Sequence, residues 1–293
     1  MTNAHDAMPL SNSVLNNSEI IIENEFAALG LHPAIVKALD DLNYKKPTPV
    51  QAQAIPAFLA GRDLLVSSQT GSGKTAAFML PALQLISQKP RPEVVKPQRG
   101  VKGRRPRPAP ACPHLIVLTP TRELAQQVTS ATTQFDKYLR RTICASIVGG
   151  MPYPRQLEML AKMPDILVAT PGRLLDHMNS GRIDLSQLSM LVFDEADRML
   201  DMGFSEDIDA IVGQTPETRQ TLMFSATLDG RTGELAADML RDPVRVAIAQ
   251  EQMDYKRIEQ RVHYVDDVAH KEKLLDHLLE SEDLQQMIIF TAT

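Results

Sequence analysis

Leu64-Leu65-Val66-Ser67-Ser68-Gln69-Thr70-Gly71-Ser72-Gly73-Lys74-Thr75 is the stretch that decides how this chain folds. An apolar run of strand type feeds a turn rich in glycine and serine, and the turn ends in Gly-Lys-Thr where a helical stretch begins. Such a turn points successive backbone N–H groups, and the N-terminus of the helix, at phosphate oxygens. In that arrangement Lys74 reaches the β- and γ-phosphate oxygens and the Thr75 hydroxyl ligates Mg²⁺. The general spacing G-x-x-x-x-G-K-[ST] is broken at its first position, where Ser68 stands in place of glycine. A plain Gly/Ser hairpin turn is the alternative, but it requires neither Lys-Thr next nor a helix after it.

A second segment strengthens the phosphate reading. Met190-Leu191-Val192-Phe193 suits a strand buried in a parallel sheet, and it ends in Asp194-Glu195-Ala196-Asp197. A carboxylate at the C-terminal tip of such a strand lies where open α/β sheets bind ligands. Asp194 is placed to hold Mg²⁺ through water, and Glu195 to orient and deprotonate an attacking water. An acidic quartet is otherwise a solvated loop or a helix start, but the strand before it and the phosphate loop upstream argue against that.

Further segments follow in a fixed order: Phe26 with Lys46-Pro47-Thr48-Pro49-Val50-Gln51, the phosphate loop, Pro120-Thr121-Arg122-Glu123-Leu124-Ala125, Gly149-Gly150, Thr170-Pro171-Gly172-Arg173, the acidic quartet, and Ser225-Ala226-Thr227. In this order they resemble the Q motif, motifs I and Ia, the GG element, and motifs Ib, II and III of DEAD-box ATP-dependent RNA helicases. The resemblance is to the N-terminal RecA-like domain and runs from about Phe26 to the end of the chain. The family usually has Ala where Ser68 stands.

The resemblance implies a role for each matched residue. Gln51 reads adenine, since a carboxamide both donates and accepts. Phe26 stacks on the base, or else serves as an anchoring hydrophobe. Ser68, Gln69, Thr70, Gly71, Ser72, Gly73, Lys74 and Thr75 cradle the phosphates, with Lys74, Asp194 and Glu195 catalytic and Thr75 and Asp194 holding Mg²⁺. Asp197, Ser225 and Thr227 link motifs II and III. Pro120, Thr121, Arg122, Gly149, Gly150, Thr170, Pro171, Gly172 and Arg173 form the RNA face. None of these is an aromatic base stacker, and arginines with glycine-exposed amides suit a reader of the backbone without sequence preference. Thr-Pro-Gly-Arg also fits a turn and helix N-terminus, which is itself an anion site.

Composition sets the frame. The chain has 293 residues, 43% hydrophobic and 23% charged, which is ordinary for a globular protein with a large core. No apolar stretch approaches the ~18 residues of a membrane span, and Ile20-Ile21-Ile22 is too short for a signal sequence. Cys112 and Cys144 lack metal or redox spacing and are expected as reduced thiols, consistent with a cytoplasmic location. The net charge of −5 argues by itself against a nucleic-acid partner, but its distribution matters more.

Residues 89–113 carry eight basic residues, one acid (Glu93) and seven prolines. With no aromatic residue, this stretch is expected to be an exposed insertion between the helix after motif I and the strand before motif Ia. It is either an electrostatic tether for RNA or a solubilising loop.

The expected fold class is α/β: a RecA-like P-loop domain with a mostly parallel sheet covered by helices on both faces, plus a fragment of a second RecA-like domain. Residues 1–24 are expected as a disordered tail, 25–249 as the ATP-binding domain, 250–256 as a linker, and 257–293 as the start of a truncated second domain. Strands are expected at Leu64–Ser67, Leu115–Thr119, Ile143–Val148, Ile166–Ala169, Leu191–Phe193, Thr221–Phe224 and Val244–Ile248. Two more are expected late in the chain, at Gln260–Val265 and Met287–Phe290. The implied activity is RNA-stimulated ATP hydrolysis coupled to local unwinding or ribonucleoprotein remodelling by a monomer, poor in this chain alone because the family's later arginines are absent. A non-catalytic RNA clamp, or a P-loop ATPase acting on another polymer, are the rivals.

Overall fold

The computed structural model describes residues 24–69, 71–89, 109–139, 142–228, 230–247, 259, 261–280 and 286–291. The chain divides into two compact units, Met1–Ala249 and Gln250–Thr293. The first opens with a 3-10 helix (Glu25–Leu29) and α1 (Pro33–Asp41) and α2 (Pro49–Leu59). It continues through β1 (Leu64–Ser67), α3 (Lys74–Ser87), β2 (Leu115–Leu118), α4 (Arg122–Phe135), β3 (Cys144–Ile147), α5 (Tyr153–Leu160), β4 (Ile166–Ala169) and α6 (Pro171–Asn179). It closes with β5 (Met190–Asp194), α7 (Ala196–Asp201), α8 (Ser205–Val212), β6 (Gln220–Ser225), α9 (Arg231–Met239) and β7 (Val244–Ala247). The second unit, taken by itself, contains α10 (Val268–Leu279), whose N-terminus is capped by Asp267 accepting from the His270 amide at 2.7 Å. Among the described residues no helix is long and apolar enough to cross a membrane.

The seven strands form one sheet in the order β3-β4-β2-β5-β6-β1-β7, and every neighbouring pair is parallel. Parallel strands joined by helices place helices on both faces, so alternate residues of each strand must be buried on opposite sides. Leu64, Val66, Leu115, Val117, Val192 and Phe224 enter one core, packed beneath α1 to α4. Their neighbours Leu65, Ile116, Leu118, Leu191, Phe193 and Met223 enter the other, beneath α6 to α9. Strands four to six residues long with such continuous burial are why the apolar runs of the sequence identified them.

Local signals set the helix starts. Pro33 and Pro49 occupy first-turn positions, where a missing N–H costs nothing. Thr48 and Gln51 form a capping box: the Thr48 hydroxyl accepts from the Gln51 amide at 3.3 Å, and the Gln51 side chain accepts from the Thr48 amide at 2.9 Å. Thr121 caps α4 by accepting from the Leu124 amide at 3.3 Å.

Four sequence-based expectations need correction or limitation. Asn24, assigned to the tail, is buried; its side chain caps the 3-10 helix and donates to Asp40 at 2.7 Å, while residues 1–23 lie outside the described residues. Residues 90–108 of the basic insertion also lie outside them, but its C-terminal end is not an exposed loop. Ala111 is 1% exposed and bridges to Ile183 as a parallel partner. The insertion's described ends both meet the N-terminal edge of the sheet: Lys89 donates to the Ser189 hydroxyl just before β5, and His114 leads into β2. Finally, neither 261–265 nor Met287–Phe290 is a strand; both have apolar β-type composition but no ladder partner among the described residues.

Candidate functional site

Every motif that the sequence singles out after α2 sits at the C-terminal edge of the sheet, and the strand order sorts them into two halves. The phosphate loop follows β1, the acidic quartet ends β5, and Ser225-Ala226-Thr227 ends β6, so three adjacent strands β5-β6-β1 present motifs II, III and I. The other side, β3-β4-β2, presents Gly149-Gly150, Thr170-Pro171-Gly172-Arg173 and Pro120-Thr121-Arg122.

In the first half, Lys74 is 7% exposed and its ammonium donates to the Ser68 carbonyl at 3.2 Å, so the loop folds over its own lysine. The Ser68 and Ser72 hydroxyls lie 3.1 Å apart, and Ser72 also donates to the Gln69 carbonyl at 2.8 Å. Thr75 is the second residue of α3, half-buried, and Gly71 is exposed at the loop's rim; Thr70 lies outside the described residues. Gly73 has φ +85°, and an added Cβ would collide with the Gln51 carboxamide. That contact is a bond as well: Gln51 donates to the Gly73 carbonyl at 3.1 Å, and Thr48 donates to the Ser72 carbonyl at 2.9 Å. Phe26 differs from the base-stacking expectation. It is 1% exposed inside the core, so its ring is an anchor with no open face for a base in this conformation.

Asp194 is 5% exposed at the tip of β5. Burial pushes its carboxyl up to about 6; Lys74 pulls it down, and Glu195 adds to the rise. Glu195 is 6% exposed and adopts φ 60°, ψ 55°, a left-handed conformation that costs a non-glycine residue roughly 1–2 kcal/mol. Its carboxylate accepts from Arg198 at 2.8 Å, one turn along α7. The sequence reasoning missed Arg198, although its i, i+3 spacing from Glu195 was visible. Asp197 accepts from the Ala226 amide at 3.1 Å, the Thr227 amide at 3.1 Å and the Thr227 hydroxyl at 3.3 Å. Ser225 donates to the Thr227 carbonyl at 2.6 Å and accepts, through its own carbonyl, from the Ser68 amide at 3.1 Å. Motifs I, II and III are thereby one hydrogen-bonded body.

Together with the order of the motifs, this geometry agrees with the comparisons. Residues 48–235 match the DEAD/DEAH box helicase family. The chain belongs to that family. It is 44% identical over 271 residues to the ATP-dependent RNA helicase DeaD of Escherichia coli (strain K12), covering 92% of this chain and 40% of that protein. It is 41% identical over 266 residues to the ATP-dependent RNA helicase SrmB of the same strain, covering 90% of this chain and 56% of that protein. A crystal structure of a hypothetical ATP-dependent RNA helicase from Sulfolobus tokodaii superposes with TM-score 0.64 at 33% identity, over 86% of this chain and 66% of that one. The chain therefore spans between two fifths and three fifths of these curated relatives' length.

In the second half of the family's edge, Arg122 begins α4 and lays its guanidinium where a Cβ on Gly150 (φ +74°) would stand. Gly149 is half-buried and Gly150 exposed, leaving the Gly150 backbone accessible. Thr170 precedes α6 and Pro171 occupies its first turn; both are buried, as is Pro120, so these three shape the backbone and do not present side chains. Gly172 and Arg173 are half-buried, and Arg173 lies 3.5 Å from Asp176.

Proposed function

We propose that this chain binds ATP and the backbone of single-stranded RNA and contributes them to an ATP-dependent RNA helicase. The observation that supports it most is the hydrogen-bonded union of motifs I, II and III beside an edge of arginine, glycine and a helix N-terminus. In this reading Lys74 leaves the Ser68 carbonyl for the terminal phosphates, and the amides of Gly71 to Thr75 cradle them. Gln51, already fixed against the loop, orients toward adenine. Glu195 accepts a proton from the attacking water, and its strained backbone holds the carboxylate at the strand tip.

Mg²⁺ fits the residues present. Thr75 and Asp194 are hard oxygen donors, and burial at the strand tip raises the Asp194 carboxyl to about 6, a rise that a bound cation would oppose. When bound, the ion supplies charge neutralisation at the phosphates. Arg122 and Arg173 pair with RNA phosphates, and Gly150 lets a phosphate approach the backbone amide.

The test uses the 293-residue chain with a fluorescent ATP analogue, a labelled single-stranded RNA, and ATP turnover with and without that RNA. Lys74→Ala should lose ATP binding by at least tenfold, while Glu195→Gln should keep it and abolish the weak turnover expected of this chain alone. ATP binding indifferent to Lys74 would refute the nucleotide site. Turnover indifferent to Glu195 would favour a non-catalytic clamp.

A further inference from the structure

We infer that Gln156 and His177 form a buried positioning pair that fixes the Gly149–Gly150 loop against α6, and so sets the spacing between the two arginines of the RNA edge. The inference rests on the proposed RNA reading but concerns residues outside every motif named above.

Gln156 is 0% exposed. Its side-chain amide donates to the Met151 carbonyl at 2.9 Å and lies 3.3 Å from the Val148 carbonyl. Those two carbonyls bracket Gly149–Gly150, so one NH₂ group gathers both ends of the glycine pair. Two carbonyl acceptors on that side assign the amide's orientation, because its oxygen could bond neither. The oxygen then faces His177 Nε2 at 3.3 Å, which requires the proton on Nε2. His177 is itself 0% exposed and lies flat on Tyr153, with ring centroids 4.5 Å apart and an 11° interplanar angle. The Arg173 guanidinium sits 6.0 Å from the Tyr153 centroid.

The contacts form one continuous path: Arg122 over Gly150, Gly150 within the loop held by Gln156, Gln156 to His177, His177 on Tyr153, and Tyr153 beneath Arg173. The spacing of two guanidinium groups decides whether both meet phosphates of one strand, because phosphate contacts set register along the backbone. A buried carboxamide is costly unless fully bonded, so an apolar side chain would fill the same space with less penalty. Gln156 uses its capacity on a loop whose backbone the RNA reading needs open. Neither Gln156 nor His177 is accessible to RNA; both act through other residues.

The experiment compares Gln156→Met, Gln156→Glu and His177→Phe with the unmodified 293-residue chain. It reads hydrogen exchange, affinity for a fluorescein-labelled single-stranded RNA by anisotropy, and affinity for a labelled ATP analogue. Gln156→Met preserves volume and removes all three bonds; Gln156→Glu keeps an acceptor for His177 but repels both carbonyls. His177→Phe keeps a ring on Tyr153 and loses only one bond. Both Gln156 variants should speed exchange at residues 149–151 and weaken RNA binding about tenfold, with nucleotide affinity within about twofold. His177→Phe should show a smaller change of the same kind. Unchanged exchange at 149–151, or RNA and nucleotide affinity falling together, would overturn the pairing. If the unmodified chain binds no RNA, the RNA reading fails, and exchange at 149–151 still decides whether the pair holds the loop.

Discussion

Gln51 donates from its side-chain amide to the carbonyl of Gly73 at 3.1 Å, joining the residue expected to read adenine to the loop expected to hold phosphate. On the proposed reading one carboxamide serves both base recognition and phosphate binding, and its oxygen is also engaged by the Thr48 amide at 2.9 Å. Gln51→Glu keeps the acceptor for Thr48 but sets a carboxylate against the Gly73 carbonyl. Leaving that carbonyl unpaired costs about 1–3 kcal/mol. The variant should bind ATP about tenfold more weakly and discriminate less between ATP and GTP, as measured by parallel titration of labelled analogues. An unchanged preference for ATP would remove Gln51 from base recognition.

The link between motifs II and III depends on one oxygen. Asp197 Oδ2 accepts two amide bonds and one hydroxyl bond from 226–227. Bonds to a charged acceptor are the stronger kind, but this one is partly exposed, so its worth is reduced. Asp197→Ala should destabilise the first unit by about 1–2 kcal/mol in urea unfolding. Thr227→Val, which removes only the hydroxyl at 3.3 Å, should cost less than half as much. Equal losses from the two variants would mean that the carboxylate is not the organising group.

What the sequence could and could not reveal follows from the range of each interaction. β1, β5 and β6 were legible because a strand buried on both faces must be apolar throughout, and their C-terminal tips located the motifs. The caps at Thr48 and Thr121 each act within four residues, so their signal is local to the sequence. Glu195 gave no sign of its left-handed backbone, since no glycine marks the position. Phe26 lies next to an adenine-type motif, yet which way a ring faces depends on packing from α1, α2 and α3, and the core claimed it. Gln156 carries no local signal, because its partner His177 is 21 positions away. Met287–Phe290 has the composition of a strand, but a strand also needs a neighbour.

Ser68 is where this chain departs from its family's usual alanine, and the structure gives the extra hydroxyl a contact, 3.1 Å from the Ser72 hydroxyl. The same residue's carbonyl holds Lys74. Both contacts favour a loop folded on itself, which must open to admit phosphates. Ser68→Ala should therefore tighten ATP binding modestly, by about threefold, within the range of one neutral hydrogen bond. Isothermal titration in Mg²⁺ buffer would show it. Weaker binding would mean that the Ser68 hydroxyl touches the nucleotide directly.

The buried histidine of α6 provides a stability signature in pH. Burial lowers the His177 pKa from its usual 6.5, and Arg173 and Arg182 lower it further against the opposing pull of Asp176. Gln156 and Tyr153, packed against the ring, carry no charge at neutral pH. The folded chain therefore prefers neutral His177 more than the unfolded chain does. Its contribution to stability is complete above 6.5 and is lost as pH falls through the lowered folded value. Protonation would also place a second N–H at Nδ1, which is buried without a partner. Melting temperature should accordingly fall more between pH 7.5 and pH 5.5 in the unmodified chain than in His177→Phe. Other titrating groups, including half-buried His114, contribute equally to both and cancel in the difference. Parallel acid dependence of the two melting curves would show that His177 titrates freely and is not held neutral by its surroundings.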